Sequence, residues 1–297
     1  MSATRHEPAN GRFRTGLVGS GILASRSPAL HMQEGRALGL EVDYRLFDLE
    51  QIDGGVTALG AVLTAAERAG FAGLNVTHPC KQQVIPLLDE LSEDARAIGA
   101  VNTVVFRAGR RIGHNTDWVG FDMGLRTQLQ QARLGRVLQL GAGGAGAAVA
   151  YALLRAGVQH LQIADLDAAK AEHLVRALAP QFSERRIQAR PAAVSSLAAY
   201  DGLVNATPVG MAKYPGTPLA IDLLTPQQWV AEIIYFPMET ELLRAARAIG
   251  CRTVDGGDMA VFQAAEALRL FTGHTPDAQR MLRAFRAHDR GQADPSL

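Results

Sequence analysis

Cysteine is scarce in this chain: Cys80 and Cys251 are the only two among 297 residues. Two thiols cannot form the disulfide framework that stabilises many secreted domains, and such rarity is typical of proteins in a reducing compartment. The N-terminal stretch MSATRHEPANGRFRTG also lacks the apolar core of a secretory signal peptide. We therefore expect a cytoplasmic protein.

An excess of charge of either sign is also missing. The chain has 30 Lys and Arg residues against 29 Asp and Glu residues, which gives a net charge of +1. A nearly neutral chain has no long-range attraction for nucleic acid or for an anionic membrane surface. No apolar run reaches the length of a membrane span. We expect neither nucleic acid nor membrane as a partner, and a homodimer is left open.

Metal-ligand spacing is absent from the sequence as well. His31, His78 and His114 do not fall at the separations that zinc sites use. The tripeptide HPC, which ends at Cys80, lacks the second cysteine of a zinc deaminase motif. We predict no metal site, and we expect Cys80 to serve packing.

What the chain does contain is a regular alternation of strand-like and helix-like segments. It is 47% hydrophobic and 20% charged, a composition that supports one large domain or two ordinary ones. Alternation of this kind predicts the α/β class with parallel sheets. One exception is expected, because AVNTVVF and RRIGHNT flank the turn RAGR and should pair antiparallel.

Two helix predictions depend on local signals. SPALHMQEGRALGL is predicted to be a helix with Ser27 as N-cap and Pro28 at the first helical position. VIPLLDELSEDARAIG is predicted to be a single helix from its apolar spacing.

The segment LGAGGAGAA carries the motif G-x-G-x-x-G at Gly141, Gly143 and Gly146, between an apolar strand and an alanine-rich helix. In such a motif one glycine makes the tight turn, one lets the backbone approach a pyrophosphate, and one allows close packing of helix on strand. The helix N-terminus then offers N–H groups and a positive dipole end to the phosphates. The context predicts a dinucleotide-binding unit.

Asp165 ends the next predicted strand, in IADLD, and its position favours NAD over NADP. A carboxylate there can accept hydrogen bonds from the adenosine ribose hydroxyls, whereas it would repel the 2′-phosphate of NADP. No arginine follows it, since its neighbours are Leu166 and Asp167, with Lys170 a helical turn further on. The alternative is that Asp165 only caps the following helix, although Asp167 is better placed for that.

Polar clusters follow several strands of the first half, in ASRSP, NVTHPCK, AVNTV and GHNTDWVG. In open α/β sheets, ligands gather beyond the carboxyl ends of the strands. Hydroxyls, amides and a lysine supply the donors and acceptors that a small polyhydroxylated acid requires. The first half is therefore predicted to bind the substrate.

Seven motifs occur in order along the chain: SRSPALH, GLNVTHPCK, GAVNTV, GHNTDWVG, GAGGAGAA, VNATPVGM and MAVFQAAEA. Through them the sequence resembles the shikimate dehydrogenase family over nearly its whole length. Within the family it looks most similar to the NAD-dependent quinate/shikimate dehydrogenase branch. IADLD stands where NADP-preferring members carry an arginine-bearing segment of the NRT type.

The resemblance implies a role for each matched residue. Lys81 matches the catalytic lysine, which would exchange a proton with the reacting oxygen, and Asp117 matches the aspartate partner of that lysine. The residues matched to substrate contacts are Ser25, Ser27, Asn75, Thr77, Asn102, Tyr235 and Gln263. The residues matched to cofactor contacts are Gly141, Ala142, Gly143, Gly144, Ala145, Asp165, Thr207, Ile233 and Gly256.

The resemblance also implies how the chain is divided and what it does. Residues 1–117 with 256–297 are expected to form the substrate domain, with a mostly parallel sheet, and residues 118–255 a Rossmann-type NAD domain. The expected reaction is NAD-dependent oxidation of shikimate to 3-dehydroshikimate, with quinate as a further candidate substrate. Some quinate-accepting relatives carry threonine at the position of Ser27, which favours shikimate. Two alternatives stay open: an aminoshikimate-type or otherwise specialised paralogue, and a non-catalytic NAD-binding sensor.

Overall fold

A computed structural model describes residues 11–183 and 186–289. They form two compact units, one made of the chain up to Thr116 together with the part from Gln263 onward, the other made of Asp117–Phe262. Each unit is built on a six-stranded sheet. The predicted α/β class with two domains is confirmed. The chain passes from the first unit to the second between residues 116 and 117 and returns between residues 262 and 263. The boundaries predicted from the sequence were 117–118 and 255–256.

Strands and helices alternate along the chain. The strands are β1 (Arg12–Gly19), β2 (Glu41–Asp48), β3 (Gly73–Val76), β4 (Glu90–Leu91), β5 (Thr103–Arg107), β6 (Arg110–His114), β7 (Arg136–Leu140), β8 (His160–Ala164), β9 (Ile187–Arg190), β10 (Gly202–Asn205), β11 (Trp229–Glu232) and β12 (Arg252–Val254). The helices are α1 (Ser27–Ala37), α2 (Leu59–Arg68), α3 (Glu93–Ile98), α4 (Asp117–Gln128), α5 (Gly144–Ala156), α6 (Ala168–Phe182), α7 (Glu241–Ile249), α8 (Gly256–Thr272) and α9 (Ala278–Asp289). Over the described ranges, no helix is both long and apolar enough to cross a bilayer.

The sheet of the first unit is mixed, with strand order β2-β1-β3-β5-β6-β4. Three pairings are parallel, and β5 pairs antiparallel with both β3 and β6. The predicted hairpin of AVNTVVF and RRIGHNT is thereby confirmed, with Thr103 opposite His114. Its apolar core includes Leu63, Leu74 and Val104 together with Cys80, all completely buried. The packing role expected of Cys80 is confirmed.

The sheet of the second unit is entirely parallel, with strand order β12-β11-β10-β7-β8-β9. The order reverses at β7, which has β8 on one side and β10 on the other. A reversal of this kind leaves a crevice at the carboxyl ends of the strands, where doubly wound sheets bind nucleotides. The edge strand β9, which was not predicted from the sequence, extends the sheet by pairing with β8.

Two local predictions are wrong. VIPLLDELSEDARAIG is not one helix: a 3-10 turn at Ile85–Leu87 is followed by β4 and then by α3. Pro86 lacks an N–H for a helical ladder, and the Ser92 hydroxyl starts a new helix by accepting a hydrogen bond from Ala95 N at 3.3 Å. Ser27 is not an N-cap either, because α1 begins after Arg26 without a side-chain cap and Ser27 is its first residue.

A buried ion pair joins α1 to α9 within the first unit. The Glu34 side chain is 1% exposed, and its carboxylate accepts hydrogen bonds from Arg280 Nε at 2.9 Å and Arg280 Nη2 at 2.7 Å. The backbone N–H of Asp277 donates to the same carboxylate at 2.7 Å. These three donors replace the water that the Glu34 carboxylate loses on burial. Removal of Arg280 would therefore leave a buried charge without its partner.

We expect Arg280→Ala to destabilise the protein, because it leaves the buried Glu34 carboxylate without its cation. Because Arg280 is 39% exposed, we expect a loss of about 2 kcal/mol. If both partners were completely buried, the free energy of unfolding would fall by more than this. Urea unfolding measures the change. The matched control is Arg269→Ala, because its partner Glu266 is 24% exposed, against 1% for Glu34. It should cost less than about 1 kcal/mol. Equal losses would contradict the argument.

Candidate active site

Three side chains predicted to bind substrate belong to one hydrogen-bonded set in the first unit, which we call the amide set: Asn75 and Asn102, which are buried, and Gln263, which is half-buried. Asn75 Nδ2 donates to Thr103 Oγ1 at 3.0 Å, and Thr103 Oγ1 donates to Asn102 Oδ1 at 3.1 Å. Asn102 Nδ2 donates to Gln263 Oε1 at 3.4 Å. Residues from β3, from the start of β5 and from α8 thus converge at one place.

Ser25 and Ser27 lie together where β1 leads into α1. Ser25 Oγ donates to Ser27 Oγ at 3.1 Å, and Ser27 N donates to Ser25 Oγ at 3.2 Å. Both side chains are half-buried. Two hydroxyls beside the first turn of a helix can donate to an anionic oxygen. The pair therefore suits a carboxylate.

Lys81 lies in the turn that follows β3 and is half-buried. Its carbonyl accepts a hydrogen bond from Val101 N at 2.8 Å, which ties this turn to the residue before Asn102. Thr77, also half-buried, is held to β1 by Thr77 N donating to Val18 O at 3.0 Å. Both residues belong to the first unit. Asp117 is 5% exposed and opens α4 in the second unit.

The glycines of the G-x-G-x-x-G motif differ in what surrounds them. A Cβ on Gly141, whose φ is +99°, would lie 2.5 Å from Ala206 O, and a Cβ on Gly146 would lie 2.4 Å from Gly141 O. A Cβ on Gly143 would meet nothing within 4 Å. Two glycines are therefore required by packing, and the third leaves open space over the loop. Gly144 and Ala145 begin α5, so their N–H groups have no acceptor within the helix.

Asp165 connects this loop to the next turn. Its Oδ2 accepts a hydrogen bond from Ala142 N at 2.8 Å, and its Oδ1 accepts one from Asp167 N at 2.9 Å. The cap of α6 is Asp167, whose side chain accepts from Ala169 N at 3.1 Å. Asp165 is therefore not the helix cap. Its carboxylate holds the phosphate-type loop, and an open G-x-G-x-x-G loop with an acidic residue after the next strand fits a dinucleotide.

A buried carboxylate that the sequence analysis missed organises the ends of β10 and β11. Glu232 is 1% exposed, and its Oε2 accepts from Asn205 Nδ2 at 3.0 Å and from Thr240 Oγ1 at 3.2 Å. Asn205 Oδ1 in turn accepts from Thr207 Oγ1 at 2.7 Å. Glu232 thus fixes the position of Thr207. An acidic residue inside the apolar run WVAEIIYF was the signal available in the sequence.

The other predicted cofactor positions of the second unit lie next to this carboxylate. Ile233 N donates to Asn205 O at 3.2 Å. A Cβ on Gly256 would lie 2.5 Å from Ile233 O, so Gly256 is in close contact with that turn. Tyr235 follows in the same turn and is 43% exposed. The structure therefore groups Thr207, Ile233 and Gly256 in the second unit, where Tyr235 also lies.

We expect Glu232→Gln to remove a pH dependence of stability. Burial raises the pKa of Glu232 to about 7 from its ordinary 4.5. Since the folded state holds the proton more tightly than the unfolded state, the stability from this group is complete below pH 4.5 and is lost as the pH rises through 7. The loss amounts to about 3 kcal/mol.

Chemical unfolding at pH 5 and pH 8 tests this expectation. Relative to the unsubstituted protein, Glu232→Gln should raise the free energy of unfolding at pH 8 compared with that at pH 5, because only the shift caused by Glu232 is removed. The control is Glu239→Gln, since Glu239 pairs with Arg247 at the surface and should leave the pH dependence as it is. An unchanged difference in Glu232→Gln would refute the role of burial.

No group of three or more His, Cys, Asp or Glu side chains within residues 11–183 and 186–289 is arranged to hold a metal ion.

Comparisons with known proteins cover most of the chain. Residues 17–104 match the family model described as shikimate dehydrogenase substrate binding domain, and residues 256–284 match the one described as shikimate 5'-dehydrogenase C-terminal domain. Residues 119–214 match the ThiF family model. The two shikimate dehydrogenase models lie mainly in the unit that carries the amide set.

Curated relatives match over nearly their full length. The chain is 54% identical over 272 residues to a shikimate dehydrogenase (NADP(+)) of Streptomyces avermitilis, covering 91% of this chain and 94% of that one. It is 48% identical over 279 residues to a quinate/shikimate dehydrogenase (NAD(+)) of Corynebacterium glutamicum strain R, covering 93% and 99%. The names of these two relatives differ in the nucleotide.

Solved structures show the same similarity. Quinate dehydrogenase from Corynebacterium glutamicum in complex with NAD superposes with a TM-score of 0.88 at 48% identity, covering 93% of this chain and 99% of that chain. Shikimate 5-dehydrogenase from Thermus thermophilus in complex with NADP(H) and shikimate gives a TM-score of 0.81 at 35% identity, covering 92% and 98%.

Proposed function

Because the chain belongs to the shikimate dehydrogenase family, we propose that it oxidises shikimate to 3-dehydroshikimate with NAD as the cofactor. The observation that carries the proposal is the amide set, which lies in the unit that matches the substrate-binding family model. Paired amides and hydroxyls are what a ring with several hydroxyl groups requires for recognition. A cytoplasmic location and a homodimer stay predictions from the sequence.

The substrate residues divide by the group that each would bind. Ser25 and Ser27 would donate to the carboxylate, since their hydroxyls lie 3.1 Å apart beside the first turn of α1. The ring hydroxyls would be bound by the amide set. Thr77 and Tyr235 would add hydroxyl contacts near the ring.

Lys81 and Asp117 are proposed as the acid–base pair. When bound, NAD supplies the acceptor for the hydride that leaves the ring carbon. The uncharged Lys81 amine would take up the proton of the reacting hydroxyl, and in the reverse direction the ammonium would return it to the ketone oxygen. Asp117 would orient the lysine and stabilise its charged form.

The second unit would hold the cofactor. The first-turn N–H groups of α5, including those of Gly144 and Ala145, would bind the pyrophosphate over the open face of Gly143. Asp165 would accept hydrogen bonds from the ribose hydroxyls. Thr207, Ile233 and Gly256, together near Glu232, would line the nicotinamide half.

Quinate is the second candidate substrate, because a relative at 48% identity is named quinate/shikimate dehydrogenase. Quinate carries an additional hydroxyl on the carbon that bears the carboxylate, so residues beside Ser27 would decide its acceptance. Ser27 in place of threonine leads us to expect lower efficiency with quinate than with shikimate.

Absorbance at 340 nm tests the proposal directly. NADH should form from NAD with shikimate, and more slowly with quinate. If neither acid yields NADH or NADPH, the proposal fails. Assays of NAD with a panel of other cyclohexene and cyclohexane carboxylic acids then separate a non-catalytic sensor, which forms no NADH with any of them, from an enzyme that acts on a different alcohol.

A further inference from the structure

Tyr44 is a buried residue of β2 for which neither the motifs nor the proposed chemistry supplies a role. Its side chain is 6% exposed, and its hydroxyl donates to Asn75 Oδ1 at 2.8 Å. The ring packs against the imidazole of His31, with centroids 4.6 Å apart and the ring planes inclined at 33°. Tyr44 therefore holds one end of the amide set from a strand that contributes no other member to it.

The direction of the hydrogen bonds in this set is fixed at its opposite end. Thr116 N can only donate, and it donates to Asn102 Oδ1 at 2.7 Å. This contact fixes which end of the Asn102 amide is the oxygen, since an amide nitrogen cannot accept a hydrogen bond. Asn102 Nδ2 then points to Thr116 Oγ1 at 2.9 Å and to Gln263 Oε1 at 3.4 Å.

The same polarity passes to Asn75. Thr103 has a single hydroxyl proton, which it gives to Asn102 Oδ1, so Thr103 Oγ1 accepts from Asn75 Nδ2 at 3.0 Å. Asn75 Oδ1 is thereby turned toward Tyr44. The hydroxyl of Tyr44 supplies the donor that this buried oxygen requires. If that donor were removed, the buried Asn75 oxygen would lose its hydrogen bond from Tyr44, which is unfavourable for a polar atom shielded from water.

We propose that Tyr44 is a positioning residue that holds the amide of Asn75 in the orientation that the rest of the set imposes, and so keeps fixed which side of that amide presents a donor and which an acceptor to a ring hydroxyl of the substrate. The inference rests on the proposed function for the identity of the substrate, but the orientation of Asn75 can be tested without catalysis. Tyr44 acts only through Asn75.

Tyr44→Phe keeps the ring and its packing while it removes the donor. We expect KM for shikimate to rise about 5- to 10-fold, the scale of one hydrogen bond, while KM for NAD stays unchanged. A second measurement uses analogues of shikimate in which one ring hydroxyl is replaced by hydrogen. The ratio of kcat/KM for shikimate to that for the analogue should fall by a similar factor for the one analogue that lacks the hydroxyl bound by Asn75. Loss of stability alone would not change that ratio.

Thr103→Val breaks the set at the next hydroxyl and should have the same effect, which provides a second variant if Tyr44→Phe does not fold.

The control is Tyr200→Phe. The Tyr200 hydroxyl also donates to a side-chain amide oxygen, that of Gln162, but it does so in the second unit. The chemical change is therefore the same, while the amide set is untouched. KM for shikimate should stay at its original value in this variant.

Side-chain amide signals in a ¹H–¹⁵N spectrum supply a readout independent of activity. The Asn75 pair is identified by its absence in Asn75→Asp, and its hydrogen exchange should be faster in Tyr44→Phe and unchanged in Tyr200→Phe. If the unsubstituted protein does not oxidise shikimate, the proposed function fails, and faster exchange would still support the role of Tyr44. Unchanged exchange in Tyr44→Phe, or an equal rise of KM in Tyr200→Phe, would overturn the inference.

Discussion

Lys81→Ala is expected to lower kcat for shikimate oxidation by about 10²–10⁴-fold, the usual contribution of a positioned acid–base group. KM for shikimate should change far less, because the proposed lysine would act mainly on the proton that moves in the transition state. Steady-state rates at saturating NAD measure both constants. The chain has three lysines, and Lys170→Ala is the control, since Lys170 is 62% exposed on α6. A kcat for Lys81→Ala close to that of Lys170→Ala would remove Lys81 from the mechanism.

Asp117→Asn tests whether the two groups act as a unit. If Asp117 works by orienting Lys81, the double variant should be no slower than Lys81→Ala alone, because residues that act together are not additive. Multiplicative losses would show that Asp117 acts independently of the lysine. That result would leave proton transfer with Lys81 and assign Asp117 another task.

The second large effect concerns the nucleotide: we expect kcat/KM with NAD to exceed that with NADP by about 10²-fold, or about 3 kcal/mol. The Asp165 carboxylate would repel the 2′-phosphate of NADP, whereas it would accept hydrogen bonds from the free ribose hydroxyls of NAD. Initial rates with both nucleotides at saturating shikimate measure the ratio. Comparable efficiency would refute the role of Asp165.

The contacts of Asp165 sharpen this test. Its Oδ2 also accepts from Ala142 N at 2.8 Å, so removal of the side chain affects the loop as well as the ribose. Asp165→Asn keeps an acceptor for that N–H while it loses the charge, and should reduce the NAD preference. Asp165→Ala should weaken the binding of both NAD and NADP. Asp167→Asn, at the helix cap beside it, should keep the preference of the unsubstituted protein.

The loop of the second unit was predictable because its determinants are local. Gly141 and Gly146 are required by atoms of the adjoining strand ends and of the loop itself, and their spacing alone reveals the motif. Local sequence signals gave a wrong prediction where two of them favoured different structures. Apolar spacing predicted a helix through Ile85–Leu87, but Pro86 and the new cap at Ser92 divided the segment.

The candidate site was only partly predictable, for a related reason. Asn75, Asn102 and Gln263 came from the resemblance to a family, not from their spacing. Tyr44 is 31 positions from its partner Asn75, and Glu232 is 27 positions from Asn205. No pattern along the chain marks such pairs, since their contacts exist only once the strands are aligned.

The discontinuity of the first unit has a consequence for synthesis on the ribosome. Domains tend to fold as they emerge, from the N-terminus onward, yet this unit is completed only by residues after Phe262. Phe271 packs against Gly73 and Val105, and Arg280 supplies the cation for Glu34. A nascent chain therefore reaches a stage at which the later unit is whole while the earlier one still exposes an apolar sheet face. Chaperones and proteases would meet this protein at that stage.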